Sequence, residues 1–281
     1  MLRRIQVALT SWLPSRRRGV EELLDQLSAS QARQRWEAAE ALAPYSGQTS
    51  VAEALIEALG DPHPFVRWQA GESLAYRKDD RTYPLLEGAL ASKNVHRRSA
   101  AADVLGKLGD KRAAAALCKA LDSRNAEIRC SAAEALGHLA DVASLPALLK
   151  ALDDSDEQVR RTAVNAVGAT GSLEAMPALL TALEDKSAPV RANAAMALGK
   201  VADRRSVLPL QRALADVDPA VRWHAVRALG IVGDGATVPL LQPLSSDETE
   251  VFGVSIAQAA QQATREIEAR QKKQARADRS L

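Results

Sequence analysis

The first residues to consider are those that could bind a metal ion or act as a nucleophile. Cys130, Glu134 and His138 are spaced by four residues, so on a helix they share one face. They span two helical turns, a rise of about 12 Å, which is too far for three ligands of one ion. The sequence also has no Ser/His/Asp grouping and no glycine-rich phosphate loop. We therefore expect a non-catalytic protein with no catalytic residue, no metal and no cofactor.

A second set of residues has the chemistry of a protein interface. Aromatic and charged side chains recur at i, i+4 and i+8 of predicted helices, as in Trp68, Glu72 and Tyr76. Trp, Tyr and Arg dominate interface energetics, although the same tryptophans could instead pack on neighbouring helices. This stripe is acidic in its first half and neutral to basic in its second. The predicted partner-binding residues are Trp36, Glu40, Trp68, Glu72, Tyr76, Asp103, Glu134, Arg161, Trp223 and Arg227.

The sequence that must position these residues is periodic. Alanine follows three residues after each of six arginines that are 31 residues apart: Arg67, Arg98, Arg129, Arg160, Arg191 and Arg222. Each unit has an apolar helical pattern, as in 145–152, then a polar turn and a second pattern, as in 159–168. Such units bury their apolar faces only against their neighbours. The sequence predicts an all-α, right-handed α-solenoid of about eight antiparallel helix pairs with a 31-residue period.

The ends of the predicted helices carry terminal signals. A turn residue such as Asp154 is expected to accept hydrogen bonds from the free N–H groups at the start of the second helix. Pro64, Pro189 and Pro219 lie where a first-turn proline is tolerated. The second helices are expected to end in a left-handed conformation at a glycine, namely Gly106, Gly137, Gly168, Gly199 or Gly230.

The unit D-x-x-V-R-x-x-A-A-x-A-L-G-x-x-G-D…P-x-L-x-x-A-L resembles the short HEAT-like repeats of phycobilin lyases and related bacterial proteins, over about residues 20–260. The resemblance implies that the second helices line a concave surface. It also implies that the six arginines form a structural ladder with turn aspartates, pairing Asp154 with Arg160, Asp185 with Arg191 and Asp216 with Arg222. The alternative interpretation of the arginines is a phosphate-binding stripe.

The two ends of the chain differ from the repeat. Residues 1–19 are basic and amphipathic, with five arginines and no acid, and residues 261–281 form a charged helical extension of the 20–260 solenoid. The N-terminal segment either caps the first repeat or lies on an anionic membrane surface. A targeting peptide is a third interpretation, but its apolar stretch is interrupted and lacks a small-residue cleavage site.

The composition agrees with a helical repeat. The chain of 281 residues is 47% hydrophobic but only 3% aromatic, which disfavours β-sheet, and its net charge of +2 disfavours disorder. Two cysteines cannot form a disulfide framework, so we expect a reducing, cytoplasmic compartment, with residues 1–18 as the one segment suited to a membrane surface. Because the basic residues concentrate at the two ends, the body is mildly acidic, which argues against a nucleic-acid partner.

The expected function is that of a protein–protein interaction scaffold or assembly factor that binds a protein partner on the concave face. The alternative is a phycobilin lyase-like subunit or chaperone for chromophore attachment, which the resemblance of the repeats to phycobilin lyase subunits implies. Aromatic and acidic groove residues are compatible with a tetrapyrrole, but no residue singles it out. A DNA-binding HEAT-like protein is a third, less favoured hypothesis, because it would need a basic groove.

Overall fold

The computed structural model describes residues 19–76 and 79–278, and the chain divides into two compact units, Met1–Leu85 and Leu86–Leu281. The described residues form sixteen α-helices in eight consecutive pairs, which confirms the predicted all-α solenoid. The predictions for residues 1–18 lie outside the described residues.

The first unit contains two complete helix pairs. They are α1 (Val20–Gln26) with α2 (Ala32–Leu42), and α3 (Thr49–Ala58) with α4 (Pro64–Ala75); helix α5 (Thr82–Ala89) begins near the end of this unit. Their core is made of fully buried leucines such as Leu42, Leu55 and Leu74. The Ser73 hydroxyl donates a 2.8 Å hydrogen bond to the carbonyl oxygen of Ala39, so α4 is fixed against α2 by a buried polar bond as well as by apolar packing.

The second unit continues the repeat with short first helices and longer second helices. The elements are α6 (Val95–Leu108), α7 (Ala114–Ala120), α8 (Ala126–Leu139), α9 (Leu145–Ala151), α10 (Glu157–Ala169), α11 (Met176–Ala182), α12 (Ala188–Val201), α13 (Val207–Ala213) and α14 (Pro219–Val232). The last pair is irregular. Helix α15 (Val238–Leu241) is followed by a 3₁₀ segment (Gln242–Ser246), the antiparallel hairpin β1 (Glu250–Val251) and β2 (Val254–Ser255), and the long helix α16 (Ile256–Asp278).

The repeated glycines have a different role from the predicted one. Gly168, for example, lies inside α10, and the left-handed residue is Gly171, beyond the end of that helix. A Cβ on Gly168 would lie only 2.6 Å from the Cβ of Ala197 on α12, and the other glycines of this series face an alanine of the next second helix in the same way. The C-cap prediction was therefore wrong: these glycines allow neighbouring helices to approach closely.

The predicted turn residues lie two positions before the residues that cap the second helices. Asp154 accepts the N–H of Asp156 at 2.9 Å, whereas Asp156 is the residue that caps α10, by accepting from the N–H groups of Gln158 and Val159. The prediction that the turn residue itself caps the helix was therefore wrong by two positions. In contrast, Pro64 and Pro219 are the first residues of α4 and α14, as predicted.

Most of the repeated arginines join one repeat to the next. Arg160 donates from Nε to Oδ2 of Asp185 at 2.8 Å, and from Nη1 to the backbone oxygen of Asp154 at 2.9 Å. The resemblance implied that each arginine pairs with the turn aspartate of its own repeat. The structure corrects this prediction, because the carboxylate partner lies in the next repeat. Each aspartate in these ion pairs belongs to the repeat after its arginine: Arg35–Asp61, Arg129–Asp154, Arg160–Asp185, Arg191–Asp216 and Arg222–Asp247.

These ion pairs are mostly shielded from water. Hydrogen bonds from Arg129 and Arg191 lower the pKa of Asp154 and Asp216, respectively, and partial burial of each carboxylate opposes that shift. Because each pair is hydrogen-bonded and desolvated, the loss of one member would leave a poorly hydrated charge.

Two of the six arginines depart from this pattern. The residue 25 positions after Arg67 is Ser92, and the residue 25 positions after Arg98 is Ser123, so a hydroxyl replaces the aspartate in both cases. Arg67 donates to the backbone oxygens of Asp61 and Pro62, and the Nε of Arg98 is buried without a hydrogen-bond partner. The predicted ladder thus has an aspartate at the partner position for only four of the six arginines.

Candidate functional site

An open cavity of about 420 Å³ lies on the surface of the first unit. Phe65 and Trp68 remain 67% and 55% exposed at this cavity, and Trp36 is half-buried. A cluster of large aromatic side chains open to water is uncommon on a folded surface and is typical of binding sites. The residues that line the cavity are Ala32, Arg33, Trp36, His63, Phe65 and Trp68.

The first turns of α2 and α4 position these side chains. Arg35 on α2 donates from Nε and Nη2 to the carboxylate of Asp61, in the turn before α4, at 2.6 and 2.9 Å. Trp36 follows Arg35 directly, and Trp68 follows Arg67 in the next repeat, so equivalent positions of two neighbouring helices supply the two indole rings. The ion pair of the first repeat therefore also holds the start of α4 beside α2.

The charged or titratable residues that line the cavity are Arg33 and His63. Arg33 donates from Nε to Glu37 at 2.8 Å in an exposed i,i+4 pair, and the His63 ring lies 5.7 Å from the ring of Phe65. Aromatic faces with a few polar groups at the rim suit an apolar side chain with a hydrogen-bonding group beside it. The lining of the cavity thus combines aromatic surface with two side chains that can carry positive charge.

Helices α2 and α4 also carry the other predicted residues of the first unit. Glu40 is exposed one turn after Trp36, and Glu72 is half-buried one turn after Trp68. Tyr76 is 68% exposed just beyond the end of α4. Five of the predicted residues therefore lie on or just after these two helices, with the aromatic cavity at the helix N-terminal ends.

The predicted residues of the second unit are more dispersed. Asp103 on α6 and Glu134 on α8 are exposed, and Arg161 on α10 is half-buried. Although Asp103 is exposed, local desolvation raises the pKa of its carboxyl group, and a hydrogen bond with Ser131 opposes that rise. Glu134 lies 3.9 Å from His138, an exposed contact of the kind that contributes little to stability.

Trp223 is not the exposed anchor that the sequence suggested. Its residue is only 7% exposed on α14, where the Phe252 ring meets it edge-to-face at 5.6 Å and the Arg227 guanidinium lies 5.0 Å from its ring centre. Burial lowers the pKa of the adjacent His224, and Arg227 adds to the shift. Phe252 itself stays 77% exposed, so Trp223 is a buried residue with an exposed aromatic neighbour, and its prediction as a partner-binding residue is corrected.

The sequence also contained a signal for the cavity residues that were not predicted. His63 occupies the position that Asn94, Asn125 and Asp156 use to cap later helices, and its own side chain caps nothing. Phe65 stands where later repeats have polar or small residues such as Glu127. Both residues differ in type from the residues at the same position of the later repeats, and this difference is the sequence signal that identifies them.

Cys130 lies 3.5 Å from the hydroxyl of Thr162, and desolvation raises the pKa of its thiol, which keeps it protonated. Within residues 19–76 and 79–278 no group of three His, Cys, Asp or Glu side chains could hold a metal ion. No helix in those ranges has the length and apolar character needed to cross a bilayer.

Two solved structures of the following three share this fold at low sequence identity. The Escherichia coli protein YibA is 19% identical, with a TM-score of 0.62 over 89% of this chain and 93% of its own. Kap95p in its complex with RanGDP is 14% identical, with a TM-score of 0.64 over 88% of this chain but only 41% of Kap95p. The CpcE–CpcF phycocyanin lyase of Nostoc is 23% identical, covering 92% and 97% of the two chains, but its TM-score is only 0.44. No curated protein sequence matches the chain.

A family model matches the sequence over most of its length. The model for HEAT repeats matches residues 20–106, 69–129, 94–168, 114–189 and 176–261, which together span most of the chain. The helix pairs and the packing of their second helices agree with this match. The protein belongs to the HEAT repeat family.

Proposed function

We propose that this HEAT repeat protein is a non-catalytic scaffold whose first unit binds a protein partner through its aromatic cavity. The supporting observation is the open cavity of about 420 Å³ beside Phe65 and Trp68, two large side chains that remain more than half exposed. Desolvation of such rings by a partner is a large source of binding free energy, and aromatic side chains are enriched in interface hot spots.

The acidic side chains next to the cavity define the rim of the proposed interface. Glu40 and Glu72 follow the two tryptophans by one helical turn, and Tyr76 extends the surface toward the end of α4. A polar rim around an apolar centre is the usual anatomy of a protein interface. A partner would therefore place apolar groups in the cavity and polar groups along the two helices.

The proposal is tested by affinity capture from the native source with the full chain and a Phe65→Ala/Trp68→Ala double variant. Leu208→Ala is the matched control, because Leu208 is an apolar residue of the second unit that is also 68% exposed. We expect specific proteins that wild type and Leu208→Ala retain and the double variant loses. Equal capture by all three proteins, with unfolding temperatures unchanged, would overturn the proposal.

A further inference from the structure

Arg98 and Ser123 occupy positions that form a charged contact in later repeats of the second unit. Arg129 on α8 donates from Nε and Nη2 to the carboxylate of Asp154 at 2.6 and 2.7 Å, a two-point contact between one repeat and the next. Arg98 has the equivalent position on α6, and the residue 25 positions after it is Ser123. Within residues 79–278, the Nε of Arg98 is buried and has no hydrogen-bond partner. The donor of this contact is therefore present, with a hydroxyl at the position of its acceptor.

The turn that contains Ser123 is built like the turns that carry an aspartate. The Oγ of Ser123 accepts the N–H of Asn125 at 3.3 Å, and Oδ1 of Asp154 accepts the N–H of Asp156 at 2.9 Å. Asn125 and Asp156 in turn cap α8 and α10 through their side chains. Because the two turns share this geometry, the Ser123 hydroxyl stands where the carboxylate of Asp154 stands one repeat later. The two sites differ in charge and in the number of acceptor oxygens.

A phosphoryl group on this serine would supply both of the properties that the hydroxyl lacks. It carries about two negative charges and three acceptor oxygens, which a guanidinium binds at two points. The position just before α8 adds a favourable interaction with the N-terminal end of the helix dipole. Ser123 is half-buried in its turn, between the exposed residues Asp122 and Arg124. Asp122 is paired with Lys150 at 2.7 Å, which reduces its repulsion of a phosphate.

We infer that Ser123 is a phosphorylation site and that its phosphoryl group completes the ladder between α6 and α8 by accepting hydrogen bonds from Arg98. The donor is a nucleoside triphosphate, and the catalyst is a protein kinase. The bond from the γ-phosphorus to Oγ forms while the bond from that phosphorus to the β,γ-bridging oxygen breaks. The hydroxyl proton passes to a base of the kinase, and the nucleoside diphosphate leaves. Phosphorylation thus strengthens the contact between two repeats of the second unit, independently of the cavity in the first.

The contact is tested with the full chain carrying phosphoserine at position 123, introduced during translation. We expect the equilibrium constant for folding, measured by urea denaturation, to rise about tenfold over that of the unmodified chain. In an Arg98→Met background, phosphoserine should change this constant by less than about twofold. The matched control is phosphoserine at position 155, because Ser155 is an exposed serine beside Asp154, where Arg129 already has a carboxylate partner. This control should also change the constant by less than about twofold.

The modification itself is tested by mass spectrometry of the chain isolated from its native source in the presence of phosphatase inhibitors. We expect a peptide that carries the phosphate on Ser123. Ser123→Asp, which introduces the carboxylate of the later repeats, should also stabilise the chain. Three results would overturn the inference: Ser123 that is unmodified in the native protein, a stabilisation that persists in Arg98→Met, or an equal stabilisation by phosphoserine at position 155. A destabilised Ser123→Asp would overturn it as well, since Arg98 would then not reach an anion at this position.

Discussion

Trp68 and Trp223 occupy the same position of the repeat in the two units, but their surroundings are opposite. Trp68 borders an open cavity and is 55% exposed, whereas Trp223 is 7% exposed and has the edge-to-face contact with Phe252. The repeat determines the helix and the position within it. Whether the ring is available to a partner is determined by the residues that lie next to it in space.

The repeated arginines also differ in their surroundings although they share one repeat position. Arg160 has a shielded carboxylate partner in the next repeat, whereas the position that would provide one for Arg98 is Ser123. A single residue in the neighbouring turn thus changes an ion pair into a buried donor without a partner. In both comparisons, the role of a residue at a recurring repeat position depends on the residue that lies next to it in space.

The largest expected effect separates the two tryptophans by stability. Trp223→Ala should lower the free energy of unfolding by about 4 kcal/mol, because it empties a packed site. Trp68→Ala should lower it by only about 1 kcal/mol, because the residue is already 55% exposed in the folded state. Urea denaturation followed by circular dichroism measures both values. Similar losses for the two variants would remove the distinction between an open and a packed position.

The next effect tests the arginine ladder. Asp185→Asn should cost about 3 kcal/mol, since Arg160 would keep its charge in a shielded site without a carboxylate. Ser123→Ala, at the equivalent turn position of the second unit, should cost less than about 1 kcal/mol. The same denaturation experiment gives both values, and a cost for Asp185→Asn as small as that for Ser123→Ala would show that the ion pair is not stabilising.

The ladder also predicts a pH dependence with a definite sign. The hydrogen bond from Arg129 lowers the pKa of Asp154 in the folded state, so its stabilisation is full above the unfolded pKa of about 4 and is lost as pH falls through the folded pKa. The stability difference between wild type and Asp154→Asn should therefore shrink as the pH is lowered from 7 toward 2.5. A constant difference over this range would contradict the assignment.

A smaller effect concerns the edge-to-face contact between Phe252 and Trp223. Phe252→Ala should cost about 1 kcal/mol, the value of an aromatic pair, and should make Trp223 accessible to solvent. Acrylamide quenching of tryptophan emission measures this in a background where Trp12, Trp36 and Trp68 are replaced by phenylalanine, so that Trp223 is the one remaining tryptophan. Unchanged quenching would mean that other residues bury Trp223.

The fold could be predicted from the sequence because it repeats. Residues that recur every 31 positions identified eight helix pairs and the first-turn prolines. Where recurrence allows two physical causes, the prediction went wrong. Gly168 near a helix end fits both a C-cap and a close helix contact, and only the position of Ala197 in space distinguishes the two.

The candidate site was less predictable because it depends on residues outside the series. His63 and Phe65 occur once at their repeat positions, so periodicity gave them no weight. Trp223 is buried on α14 and is contacted by Phe252 from the hairpin of the last pair, a neighbour that the 31-residue period does not predict. Local patterns identified the helices, and three-dimensional neighbours identified which faces remain open.

Site-specific photo-crosslinking is the most direct test of the claim that the first unit presents an open binding site. The substitution Phe65→p-benzoylphenylalanine keeps an aromatic ring at the cavity, and Leu208→p-benzoylphenylalanine places the same group on an exposed position of the second unit. After irradiation in the native source, we predict discrete protein adducts from position 65 that are absent from position 208 and lost when Trp68→Ala is added. No adducts from position 65, or the same adducts from both positions, would contradict the account.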